Sequence, residues 1–305
     1  MQHSSLDSVS LSRSWVTIGV FDGVHCGHQE ILKNLTAGAH KAGAPAVVLT
    51  FYPHPAVVLG KKQELKYLTL PDEKAALLEG YGVDDVITQP FTPSLALLSA
   101  ADFMTWVHSR LRLSRLWVGY DFALGHGREG NAAFLSELGK RLGYETQVLG
   151  PVGSADEPIS SSQIRRRIET GDVGLAAESL GRFYALSGPV VHGDGRGRTI
   201  NVPTANVQVP VAKVIPANGV YATWAIVDGK RHAAVTNVGI RPTFTPDQKL
   251  ASVEAHLLDY DHDLYGSHVT LEFAARLRDE MKFSSVDALV GQIRADIEKA
   301  RTILK

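Results

Sequence analysis

The chain has one cysteine in 305 residues, so it can close no internal disulfide and build no thiolate zinc site. A reducing compartment, the cytoplasm, is the expectation. Nor is there an excess of charge: 31 basic and 32 acidic side chains sum to −1. That argues against a nucleic-acid binder working through bulk positive charge, while leaving room for a local basic pocket that takes a small anion. No stretch of about 18 apolar residues occurs, so no membrane span is expected. The sequence also lacks internal repeats, low-complexity linkers and a G-x-x-x-x-G-K-[ST] phosphate loop. Residues 1–14 are Ser-rich without the apolar core of a signal peptide and are expected to form a frayed tail. What remains is ordinary for a soluble globular protein, with 44 % hydrophobic and 21 % charged residues. At this length two domains fit better than one core.

From Trp15 to about Val152, short apolar runs alternate with amphipathic stretches. Val16–Phe21, Ala46–Phe51, Asp85–Gln89, Leu116–Gly119 and Glu145–Leu149 are expected as strands. Gln29–Ala42, Pro71–Tyr81, Ala101–Leu111 and Asn131–Leu142 are expected as the helices between them. Such alternation predicts an α/β domain, a doubly wound parallel sheet covered on both faces, with its ligand beyond the carboxyl ends of the strands. Two short helices, Ser161–Glu169 and Gly174–Leu180, precede a change of pattern near Leu180. Beyond it come strands at Tyr184–His192, Thr204–Val209, Val220–Val227, His232–Asn237, Val253–Leu258 and Val269–Ala275, with a hairpin signal at Asp228–Gly229. A last helix is expected to open at Ser284, with Asp287 three residues on, and to present Leu289, Ile293, Ile297 and Leu304. The second half therefore predicts a small antiparallel β-barrel closed by a C-terminal helix. The expected domains are 1–180 and 181–305.

Two places carry chemistry. Residues 19–29, G-V-F-D-G-V-H-C-G-H-Q, join a strand to a helix. Gly23 permits a sharp turn, His25 and His28 share a helix face, and Gly27 removes a side chain that would hold phosphates away from the backbone. With the unpaired N–H groups of the helix start, these make a cradle for a polyphosphate. A histidine metal site is the competing interpretation, but no third ligand stands at a convincing spacing. Cys26 is expected only to pack. The later run I-S-S-S-Q-I-R, 159–165, offers hydroxyls at a helix start and Arg165 as a phosphoryl clamp. In the second half, Gly193, Gly195, Gly197, Arg196 and Arg198 precede Thr204 and Asn206, two neutral oxygen donors on one strand face that suit Mg²⁺. On these residues alone a Gly-rich hairpin with a polar strand face is an equal alternative. Two lookalikes fail. Gly125–Gly130 spells G-x-G-x-x-G but follows the fourth strand without the acidic residue a dinucleotide site needs. Asp259, Asp261 and Asp263 begin like a calcium loop, but Leu264 and Thr270 replace its glycine and glutamate.

The His-x-Gly-His element with its downstream Ser-Ser-x-x-Ile-Arg resembles the nucleotidyltransferase superfamily. With T-F-Y-P-H-P (50–55) and V-G-Y-D-F-A-L-G (118–125), the first half resembles the adenylyltransferase module of bacterial bifunctional FAD synthetases. The stretch 188–206, N-V-G-I-R-P-T-F (237–244), V-E-A-H-L-L-D-Y-D-H-D-L-Y-G (253–266) and R-L-R-D-E-M-K-F (276–283) resemble the flavokinase module of the same family. Ser162 stands where the family has Thr, Gln163 replaces a common Arg, and Asn201 replaces a glycine. The resemblance covers nearly the whole chain and implies two activities: phosphorylation of riboflavin by ATP, then adenylylation of FMN to FAD. It implies His25, His28, Arg165 and Glu254 as catalytic residues. It places ATP and its phosphates at Gly19, Phe21, Asp22, Gly27, Ser161, Ser162, Gly193, Gly195 and Arg198. Mg²⁺ falls on Thr204 and Asn206, and Asp121, Asn237, Arg241, Arg278 and Glu280 fall near flavin or nucleotide. The partners implied are riboflavin, FMN and ATP, with neither nucleic acid nor membrane. Rival expectations are a nucleotidyltransferase for another phosphorylated acceptor, which leaves the strand-rich half unexplained, and a flavin-binding regulator that has lost turnover. A class I aminoacyl-tRNA synthetase shares only the histidine motif.

Overall fold

A computed structural model describes residues 1–151, 153–154, 157–193, 202–241 and 250–305; the side chains at 153, 154, 157, 241 and 250 lie outside the description. Its contacts divide the chain into two compact units, Met1–Ser161 and Ser162–Lys305.

The first unit is a six-stranded sheet in the order β1-β4-β3-β2-β5-β8, every neighbour parallel. Its strands are β1 (Gln2–His3), β2 (Ser14–Ile18), β3 (Ala46–Tyr52), β4 (Asp85–Pro90), β5 (Leu113–Gly119) and β8 (Glu145–Leu149). The small pairs β6 (Ala123–Leu124) with β7 (Gly130–Asn131), and β9 (Gly153–Ser154) with β10 (Glu157–Pro158), stand apart from it. Parallel strands need crossovers, and the helices that supply them bury one apolar face each on the sheet. Leu32, Leu35 and Ala39 of α1 (Cys26–Lys41) pack one face with Ala75 and Leu78 of α3 (Pro71–Gly80). Phe103, Met104, Val107 and Leu111 of α5 (Ala100–Leu111) pack the other with Leu135 and Leu138 of α6 (Ala132–Leu142). The one-turn helices α2 (Pro55–Val58) and α4 (Pro93–Ala96) each start on a proline. Strand order reverses between β2 and β5, which puts a crevice beyond their carboxyl ends.

The leader departs from expectation. Residues 1–14 are no frayed tail: β1 extends the sheet alongside β4, and Leu6 and Val9 are buried in the core. The Leu6 N–H donates to Gln89 Oε1 at 2.8 Å, while Asp7 accepts from Trp106 and Arg110. Two apolar side chains with long-range polar partners hold the segment, and neither signal is periodic.

The second unit takes all but the first residue of α7 (Ser161–Glu169), then α8 (Val173–Leu180), and closes a barrel in the order β11-β12-β15-β14-β13-β16. These are β11 (Tyr184–Val191), β12 (Ala205–Val207), β13 (Gly219–Val227), β14 (Lys230–Arg241), β15 (Leu250–Leu257) and β16 (His268–Arg278), all antiparallel. Asp228 and Gly229 take φ of 48° and 76° between β13 and β14, the left-handed pair a type I′ turn demands. Helix α9 (Val286–Ile303) packs on the barrel through Ala300 and Leu304. Its cap is Ser285, not Ser284: the Ser285 hydroxyl accepts the Ala288 N–H at 3.1 Å.

Candidate active sites

Past β2 the chain turns sharply, with φ of 51° at Phe21, 82° at Gly23 and 41° at Val24. The Asp22 carboxylate faces inward and accepts the N–H groups of Leu68 and Thr69 at 3.0 and 3.1 Å. Its charge therefore braces the turn, while its backbone carbonyl accepts the Ser161 hydroxyl at 2.9 Å. Gly19 follows β2, and a Cβ there would sit 3.0 Å from the Phe21 ring. His25 caps α1, and the first helical turn brings His28 against it with ring centroids 3.6 Å apart and planes 20° apart. The Phe21 ring also touches His28, tilted, with centroids 4.9 Å apart. Two stacked imidazoles repel one another when both are protonated. Burial first, then His25, then Lys74 hold the His28 pKa well below its ordinary 6.5. His28 Nδ1 is buried with no hydrogen-bond partner among the described residues. The pair opens into a cavity of about 310 Å³ lined also by Gly27, Gly119, Asp121 and Ser161. Among the described residues no three His, Cys, Asp or Glu side chains are grouped to hold a metal ion. Ser162 and Arg165 lie on α7 in the second unit, where Arg165 is buried.

In the barrel, register assembles the second cluster. Asn206 on β12 stands opposite Glu254 on β15, and Glu254 stands opposite Asn237 on β14. Residues opposite one another share a sheet face, so two amides flank one carboxylate. Ser252 donates to Glu254 Oε1 at 2.9 Å and fixes its rotamer. Thr204 immediately precedes β12, and the carbonyl of Pro203 before it meets His256 Nδ1 at 2.8 Å. Gly193 packs on Asn206 so closely that a Cβ would fall 2.3 Å from the amide nitrogen. The cradle fits an oxygen-donor site that bulk would fill, with neutral and anionic oxygens suited to a hard divalent cation. Glu280 lies nearby, since a Cβ on Gly239 would be 2.7 Å from its Oε1 and 3.5 Å from Asn237 Nδ2. Arg278 is placed differently from the rest. Its guanidinium grips Asp296 of α9 through Nε at 3.0 Å and Nη2 at 2.8 Å, and Nη1 donates to the Asp279 carbonyl. Gly195, Arg198 and the Arg241 side chain lie outside the described residues.

Sequence reasoning missed Lys74, Ser252 and Asp296. Lys74 left a trace, because it stands four residues before the buried Leu78 on α3 and so belongs to that helix's inner face. Ser252 is joined to Glu254 by strand spacing, but Asp296 reaches Arg278 only through tertiary packing.

A parallel sheet wound on both faces and a closed antiparallel barrel, each with a polar cluster, define a two-module α/β-plus-barrel protein. Residues 7–163 match the FAD synthetase family model and residues 180–304 the riboflavin kinase model. The bifunctional riboflavin kinase/FMN adenylyltransferase of Pseudomonas fluorescens is 38 % identical, over 94 % of this chain and 92 % of its own. The Listeria monocytogenes protein of the same name is 36 % identical over 94 % and 91 %. A crystal structure described as a macrolide-efflux protein from Streptococcus pneumoniae superposes with a TM-score of 0.90 at 31 % identity, over 99 % of this chain and 98 % of that one. Among the described residues no helix is long and apolar enough to cross a membrane. The chain belongs to the bifunctional riboflavin kinase/FMN adenylyltransferase family.

Proposed function

We propose that this chain makes FAD in two ATP-dependent steps. Module 181–305 phosphorylates riboflavin to FMN with release of ADP. Module 1–180 transfers the AMP of a second ATP to FMN with release of pyrophosphate. The start of the barrel at Tyr184 and of the riboflavin kinase match at residue 180 support that division. The observation that carries the reading is the contrast between the two clusters: stacked imidazoles in one, a carboxylate between amides in the other.

The contrast matches the two nucleophiles. The phosphate of FMN is already anionic, so attack on the α-phosphorus of ATP needs charge stabilisation rather than a base. His25 and His28 supply it, Arg165 clamps a phosphoryl oxygen, and Gly19, Phe21, Gly27, Ser161 and Ser162 hold the nucleotide, with Asp22 bracing their turn and Asp121 at the cavity rim. The ribityl hydroxyl of riboflavin must lose a proton before it attacks the γ-phosphorus, and Glu254 accepts it. Thr204 and Asn206 would hold Mg²⁺, which when bound would neutralise charge on the transferring phosphoryl group. Gly193, Gly195 and Arg198 cradle the phosphates, and Asn237, Arg241 and Glu280 border the flavin or nucleotide. Arg278 instead anchors α9. The single cysteine fits a cytoplasmic location.

Chromatography of products from riboflavin, ATP and Mg²⁺ tests this reading. His25→Ala is expected to stall at FMN, with adenylylation slowed about 100-fold or more. Glu254→Ala is expected to slow riboflavin phosphorylation by about 100-fold or more while still converting added FMN to FAD. Equal loss of both activities in either folded variant would show the two-site assignment to be wrong.

A further inference from the structure

A buried lysine bonds the start of the turn that leads to the histidine pair, and it has no part in the two reactions as described so far. Lys74 on α3 is only 4 % exposed, and its Nζ donates to the Val20 carbonyl at 3.0 Å and to Thr50 Oγ1 at 2.8 Å. Thr50 Oγ1 also donates to that carbonyl, at 2.9 Å. The Val20 oxygen would thus be satisfied without the lysine, and hydrogen-bond accounting alone does not call for a charge here. Val20 leads directly into the turn where Phe21 and Val24 take positive φ, a conformation that persists in side-chain-bearing residues only where the surroundings enforce it. The segment before α3 grips the far side of the same turn: Leu68 and Thr69 bond Asp22, and the Thr69 hydroxyl accepts the Gly23 N–H at 3.0 Å. Lys74 is the cationic member of this clamp, opposite in charge to Asp22.

We propose that Lys74 is a positioning residue for adenylyl transfer: bonded to the Val20 carbonyl and the Thr50 hydroxyl, its ammonium fixes the turn that aims His25 and His28 and sets positive charge beneath them. The proposal rests on the reading of that pair as the adenylyl-transfer site. The ionisable groups acting on His28 are His25, stacked on it, and Lys74 from α3; Asp22 acts on Lys74. Together with burial they keep His28 uncharged at rest. A neutral imidazole binds the polyphosphate by an N–H bond without the full grip of an ion pair. Its attraction then grows as negative charge accumulates on the pyrophosphate leaving group, and interactions that strengthen toward the transition state are those that raise kcat.

The test uses full-length Lys74→Met and Lys74→Arg proteins. FAD formation from FMN is followed as kcat and KM for ATP, riboflavin phosphorylation serves as an internal control, and the His28 ring is titrated by NMR. Lys74→Met is expected to lower kcat for FAD formation roughly tenfold or more, the usual effect of removing a group that orients a reactive one. It should leave riboflavin phosphorylation unchanged and move the His28 titration upward, and Lys74→Arg should recover part of both. Unchanged FAD formation in Lys74→Met overturns the proposal, and so does a loss of rate with no movement of His28. Should Lys74→Met not fold, Thr50→Val repeats the kinetic test in the same space, and wild-type FAD formation there overturns it too. A wild-type chain that cannot adenylylate FMN would instead sink the site reading itself.

Discussion

Lys74 sits in the folded chain with its pKa pulled from 10.5 to about 8, burial outweighing the help of Asp22. Such a shift is a statement about stability as well as charge. Above pH 10.5 the amine is neutral in both folded and unfolded chains, and ionisation takes nothing from the fold. Between pH 10.5 and 8 the unfolded chain takes up a proton that the folded chain resists, so the contribution falls as pH drops through that window and is level below it. The full shift corresponds to about 3 kcal/mol. Urea unfolding of wild type and Lys74→Met at pH 7.5, 9 and 10.5 measures it. The wild type is expected to gain on the variant by about that amount across the window, and a difference independent of pH would contradict the assignment. Such a cost at a candidate reactive site is where selection for activity and for stability part. Lys74 also marks how far single residues were legible. His25 and His28 were readable because spacing of three on a helix start fixes their proximity locally. Glu254 and Asn237 were named only through the family resemblance, and not as one row with Asn206, because strand register decides which of many polar residues stand opposite one another. The Asp22 carboxylate, expected beside phosphate, is turned to Leu68 and Thr69 by contacts some 46 residues away in sequence.

At the scale of elements, α9 is held to the barrel by the Arg278–Asp296 pair more than by a deep apolar stripe. Asp296 is 4 % exposed, whereas Leu289, Ile293 and Ile297 are only half-buried. Gln292 adds a bond to Asp296 Oδ1 at 2.9 Å. Removing one partner of a buried pair leaves the other charge uncompensated, at a typical cost of about 3 kcal/mol or more. Asp296→Ala is therefore expected to lower the thermal midpoint of the second unit's unfolding, followed by circular dichroism. An unshifted midpoint would return Arg278 to a ligand-binding role. This pairing explains why the helix was legible and its anchoring was not: a 3.6-residue period announces the helix, but nothing local announces that an acidic residue on it faces an arginine. The parallel sheet was readable for the same reason in reverse, since the buried start of a strand such as β3, Ala46 to Leu49, appears as an unbroken apolar run. The leader escaped because β1 has two residues and Leu6 and Val9 make no period, so only pairing with β4 gives the segment its place.

Across the whole molecule, the two chemistries draw on different residues, and substitution of one leaves the other set intact in the same chain. A His25→Ala chain keeps Glu254, Asn206 and Asn237. A Glu254→Ala chain keeps the imidazole pair, Ser161 and Arg165. If FMN made by one chain is released to solution, an equimolar mixture of the two variants must make FAD from riboflavin although neither does so alone. The expected time course has a lag while free FMN rises to the KM of the second reaction. Raising both protein concentrations together shortens that lag, because both the supply and the capture of FMN scale with enzyme. The wild type run beside the mixture separates two routes. A comparable lag would mean that FMN equilibrates with solvent in the native chain as well, whereas a wild type without lag would mean that the intermediate is retained by the chain that made it. Failure of the mixture to form FAD, when each variant performs its remaining reaction alone on added substrate, would mean that FMN does not leave the chain that made it, whereas a variant unable to perform its remaining reaction alone would contradict the independence of the two residue sets.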